Sequence, residues 1–86
     1  MLVVQDSGTE AAMESTVYVR LLGEGVHVYR PVPASPIASN IYAIGGYDIY
    51  DPEDEEWEFP PGTHVVVEEQ ILEGEPVLVA IASAYA

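Results

Sequence analysis

The chain has no cysteine and no lysine, and its only cationic side chains at neutral pH are Arg20 and Arg30. Without cysteine there is no disulfide framework, no thiol nucleophile and no zinc site built on thiolates. Fifteen Asp and Glu against two Arg give a formal charge of -13. That balance excludes direct binding of nucleic acid through a basic groove and opposes docking on anionic lipid. No apolar run approaches the roughly 18 residues of a spanning helix, so no membrane contact is expected. Residues 1–10 lack the positive flank and long apolar stretch of a secretory signal, and the expected compartment is the cytoplasm.

Catalytic patterns are missing as well. There is no Gly-x-Gly-x-x-Gly or phosphate loop, and Ser7, Ser15, Ser35, Ser39 and Ser83 have no glycine-flanked nucleophile elbow. His27 and His64 are the only histidines, and neither has a second His, a Cys or a nearby carboxylate at ligand spacing. Both are expected to be half-exposed strand residues. No enzymatic activity, no cofactor and no metal site are expected. The alternating Asp51, Glu53 and Glu55 lack the central glycine of a calcium loop, and Pro52 stiffens the backbone between them.

What the chain does contain is enough apolar material for one core: 86 residues, 49% of them hydrophobic. At this length folding hides only about 60% of the unfolded surface, so a single small domain is expected. Residues 1–15 read as a flexible N-terminal arm, with Met13 just before the first patterned segment, and residues 16–86 as the domain. No stretch has helical periodicity. Residues 16–22 alternate, with Val17, Val19 and Leu21 on one face and Tyr18, Arg20 and Leu22 on the other, which predicts a strand. Gly23-Glu24-Gly25 predicts a tight turn into a second strand at 26–31 that includes His27.

Pro31, Pro33 and Pro36 then predict that the chain leaves the sheet or follows an edge as far as Asn40. Residues 41–44 read as a third strand, 47–50 as a possible short one, 63–72 as a longer one, and 76–82 as an apolar strand buried on both sides. Glu73-Gly74-Glu75 repeats the hairpin signal of 23–25. Five or six short hairpin-linked strands predict an all-β fold, a small antiparallel barrel of SH3-like or OB-like size; a sandwich needs more strands.

Two stretches carry a likeness to other proteins: Leu22-Gly23-Glu24-Gly25 running on to Tyr29-Arg30-Pro31, and Tyr50-Asp51-Pro52 running on to Trp57-Glu58-Phe59-Pro60-Pro61-Gly62. Together they resemble a group of small bacterial proteins in which a leucine-rich strand meets Glu-Gly and an aromatic-Arg-Pro step. An acidic Trp-Glu-Phe-Pro-Pro-Gly loop follows, then two strands ending in a segment like Val77 to Ala80. The likeness spans roughly residues 17–80, with Tyr29 where Trp is commoner. It implies a self-contained β domain and assigns no activity and no site residues.

The acidic loop is the strongest functional signal. Asp48, Asp51, Glu53, Asp54, Glu55, Glu56 and Glu58 place seven carboxylates in eleven residues, with no Arg or Lys after Arg30. Two exposed like charges about 4 Å apart repel by about 1 kcal/mol in water and more near a low-dielectric surface, so such a loop must be fully solvated or met by a cationic partner. Trp57 within it has the character of a contact anchor, although alternation also pairs it with Phe59 on a packed face. Arg20 and Arg30 are expected to form intramolecular ion pairs.

These residues predict a non-enzymatic acidic protein-binding domain that contacts a basic protein surface through Asp48, Asp51, Glu53, Asp54, Glu55, Glu56, Trp57 and Glu58. Its sharper form mimics nucleic acid, as an anti-CRISPR-like inhibitor of a defence nuclease or an immunity-type protein. Carboxylates on one strand face recur every 6.6–6.8 Å or so, against one charge per about 1.7 Å in duplex DNA. Mimicry therefore needs a second row, such as Glu68, Glu69, Glu73 and Glu75. The competing expectation is a structural or assembly domain whose acidity serves only solubility.

Overall fold

β-branched and aromatic residues alternating with polar ones suit a pleated, half-buried surface. In the computed structural model, which describes residues 15–25 and 27–84, they form β1 (Ser15–Leu22), β2 (Tyr29–Ala38), β3 (Ile41–Ile44), β4 (Glu56–Trp57), β5 (His64–Leu72) and β6 (Glu75–Ser83). There is no helix among the described residues, and the class is all-β as expected. Apart from Ser15, the expected arm lies outside the described residues.

The six strands share one sheet. β1–β2, β2–β3, β3–β5 and β5–β6 pair antiparallel. β6 lies beside β1 in parallel, with Val17 opposite Leu78 and Tyr18 opposite Val79, so the circuit of pairings returns to β1. The parallel pair corrects the expectation of a wholly antiparallel sheet, and the reason is topological. When five strands each reverse the one before, the first and fifth run the same way and can only pair in parallel. β4 is appended at the end of β1, with Leu21 opposite Trp57 and Leu22 opposite Glu56.

β2 corrects the reading of the prolines. The strand begins at Tyr29 and runs through Pro31, Pro33 and Pro36 with neighbours on both sides. Residues 29–34 pair with β1 and residues 34–38 with β3, so the strand changes partner at Ala34. The Pro33 carbonyl points away from β1 and accepts the Gly45 N–H at 2.8 Å. Pro31 has the same parity, so neither ring sits where β1 requires an N–H donor.

The core collects one face of each strand. Val17, Val19, Leu21, Val32, Ala34, Ile44, Trp57, Val65, Val67, Val79 and Ala80 are buried, with no buried charged or polar residue among the described ones. The Val17-Val19-Leu21 face is the one that the alternation of β1 predicts. β6 is a correction: only Val79 and Ala80 are buried, while Pro76 and Ile81 are exposed. A bulge between Val66 and Val67 puts Ala82 and Ala80 opposite them and leaves Ile81 as the extra residue. Leu78 and Ala80 face the core cluster, Val79 opposite Tyr18 and Glu68 is buried on the other face, and the extra residue at the bulge sends Ile81 out. Residues 47–50 form a turn rather than a strand.

Candidate functional site

The loop between β3 and β5 is built on two glycines with left-handed backbone. Gly46 (φ +91°) ends β3's extension, and a Cβ there would come within 3.0 Å of the Trp57 ring. Its carbonyl accepts the N–H groups of Ile49 and Tyr50, both at 3.0 Å, closing a turn. Tyr50 goes inward, its ring 4.7 Å from that of Trp57 at 54°. Tyr47, Asp48 and Ile49 are left on the outside. The other glycine, Gly62 (φ +94°), lies so close under the Tyr47 hydroxyl that a Cβ would sit 2.5 Å from it. The Gly62 N–H donates to the Ile44 carbonyl at 2.7 Å, tying the end of the loop back to its start.

Between these anchors, Asp51 starts a single helical turn. Its side chain accepts the Glu53 N–H at 3.0 Å, and its carbonyl accepts those of Asp54 and Glu55 at 2.9 and 3.0 Å. An Asp accepting N–H groups ahead of Pro is a favourable opening for such a turn. The turn brings Glu55 against β2. Arg30 Nε and Nη2 donate to its two carboxylate oxygens, the latter at 3.2 Å, and the Trp57 indole Nε1 donates to Oε1 at 3.2 Å. Hydrogen bonding from Arg30, with a smaller share from Trp57, holds the Glu55 carboxyl below the ordinary carboxylate range. The same carboxylate raises the pKa of Arg30. After β4, the Glu58 N–H donates to the Arg20 carbonyl at 2.8 Å, and its carboxylate lies 3.6 Å from Arg20 Nε.

The seven acids therefore divide. Glu55 and Glu58 are neutralised by Arg30 and Arg20, the intramolecular pairing expected of those arginines. Asp48, Asp51, Glu53, Asp54 and Glu56 are exposed and, among the described residues, form no ion pair. Trp57 is only 2% exposed. It belongs to the core, which removes it from the contact surface to which the sequence assigned it. Phe59 packs against the same core, in keeping with the alternation.

The exposed apolar groups of this loop are instead Tyr47, at 76% exposure, and Ile49, at 53%. Reading 47–50 as strand hides them; the Gly45-Gly46 pair before them and Pro52 after them were the available signal for a projecting turn. His27 is also displaced from expectation. It lies exposed in the turn before β2 with a positive φ of 62°, whereas His64 is half-buried in β5 as expected. No group of three His, Asp or Glu among the described residues is arranged to hold a metal ion. No helix among them is long and apolar enough to cross a membrane.

A comparison with protein-family models, curated proteins and solved structures gives no match to this chain.

Proposed function

We propose that this chain is a non-enzymatic acidic binding domain, a small barrel of SH3-like or OB-like size whose 48–58 loop docks on a basic protein surface. The observation that carries this is the composition of the loop's outer face. Five exposed carboxylates without a described intramolecular cation share the loop with an exposed Tyr47 and Ile49. A large exposed aromatic on a loop of one sign of charge suits a contact in which apolar area supplies affinity while charge selects the partner. Unpaired carboxylates that repel one another at about 1 kcal/mol or more per close pair gain most when a cationic surface arrives.

The more specific form is an inhibitor or immunity-type protein that occupies a groove otherwise filled by nucleic acid. Glu73 and Glu75, half of the second acidic row this would use, line a separate cleft to which no loop residue contributes. The basic surface is therefore the broader and better supported target.

Retention of proteins from cell extract tests the proposal. The wild type is expected to retain a partner that elutes between about 50 and 200 mM salt. Asp48→Asn, Glu53→Gln, Asp54→Asn and Glu56→Gln together should abolish retention with the fold intact, and Tyr47→Ala should weaken it about tenfold or more. Equal retention by the neutralised protein would assign the acids to solubility alone. Displacement by a short DNA duplex would single out the nucleic-acid-mimicking form.

A further inference from the structure

A cleft of about 280 Å³ opens on the face of the sheet away from the core, lined by Tyr18, His27, Tyr29, Val77, Glu73 and Glu75 among others. Its walls come from three places distant in sequence. Tyr18 is on the outward side of β1, between buried Val17 and Val19. Tyr29 opens β2 opposite Arg20, and Glu73 and Glu75 belong to the β5–β6 hairpin.

The backbone at its rim is specialised. Among the described residues, His27 (φ 62°) and Glu73 (φ 52°) are the two non-glycine residues with left-handed backbone, and both line this cleft. Neither residue type is the cheapest choice for that conformation, where Gly or Asn carries less strain.

The chemistry of the lining selects a cation. Two tyrosines, whose ring faces carry negative potential, line it together with two carboxylates that have no described ion pair. Arg20, the nearest cation in register, is turned to Glu58. A cavity at the lower end of the size range for ligand sites admits one group of about side-chain dimensions. We infer that this cleft binds an alkylammonium group, with Tyr18 and Tyr29 against its methylenes and charge and with Glu73 and Glu75 as counter-ions. The site is separate from the 48–58 loop and does not depend on the function proposed for it.

Amide and side-chain NMR titrations of the full chain at about 150 mM salt, where non-specific attraction to the acidic surface is screened, test this with three probes. These are n-butylammonium, a blocked Gly-Lys-Gly peptide and n-butanol. n-Butylammonium should give saturable shifts centred on Tyr18, His27, Tyr29 and Val77, and n-butanol should give none. If the lysine peptide matches the free amine, the cleft admits a cationic side chain; if only the amine binds, the ligand is a free amine.

Glu73→Asn suits the left-handed backbone better, so the fold is kept, and it should weaken n-butylammonium binding about 3- to 10-fold; Tyr29→Leu should cost about 3-fold. Glu53→Gln with Asp54→Asn should leave that binding unchanged. Equal response to butanol, shifts centred on residues 48–58, or unaltered binding by Glu73→Asn and Tyr29→Leu would each overturn the assignment.

Discussion

Glu55 joins the loop to the core, accepting from both Arg30 and Trp57. Its carboxyl is held below the usual range, chiefly by Arg30. A folded-state pKa below the unfolded value gives stability that is present above the unfolded pKa and is lost as pH falls through the folded one. Glu55→Ala is therefore expected to cost about 1 kcal/mol at pH 7. The difference from wild type should shrink once the pH drops below about 4.3, the ordinary Glu value. Urea unfolding followed by Trp57 fluorescence at pH 7 and pH 3 measures this, and a constant difference would contradict it. Sequence shows that two arginines must find partners among fifteen acids. It does not show which, because the choice of Glu55 depends on the helical turn that Asp51 begins. At Glu73 the expected effect has the opposite sign: Glu73→Asn should raise stability by about 0.5–1 kcal/mol by relieving the left-handed strain, seen as a higher urea midpoint.

At the level of elements, the turn carrying Gly46 is fixed by the indole beneath it. Gly46 and Gly74 have similar positive φ values of 91° and 82°, but an added Cβ would meet the Trp57 ring at 3.0 Å at the first and nothing within 4 Å at the second. Backbone strain is common to both, so the difference between Gly46→Ala and Gly74→Ala isolates the contact with Trp57. Gly46→Ala is expected to cost about 1–3 kcal/mol more, and thermal melts of the two variants would reveal it. Strands β1, β3, β5 and the hairpin signal at 73–75 were legible, since alternation and glycine placement are local properties; the signal at 23–25 marked a turn, but not the longer connection after which β2 starts only at Tyr29. The course of β2 was not. Whether a proline breaks a ladder depends on which side its missing N–H would face, and β2 satisfies three prolines by changing partners midway. The bulge that exposes Ile81 was hidden for a similar reason, because it exists only in the register between β5 and β6.

For the whole molecule, the charge of -13 is the dominant global quantity. Self-repulsion at this level destabilises the compact state, so raising salt from about 10 to 500 mM should increase the melting temperature by several degrees. A flat response would mean that the acids are too far apart to interact. The existence of the acidic face was legible in composition, whereas its division into paired and unpaired carboxylates, and the exchange of Trp57 for Tyr47 as its exposed aromatic, required the fold. The parallel contact of β6 with β1 also bears on how the chain is made. Of the described strands β1 emerges first and soon gains β2 along one edge; β4 then covers Leu21 and Leu22, but Val17 and Tyr18 must wait for the last described strand. A nascent or truncated chain lacking β6 thus carries an open edge at Val17 and Tyr18, a template on which a second unfinished chain can add.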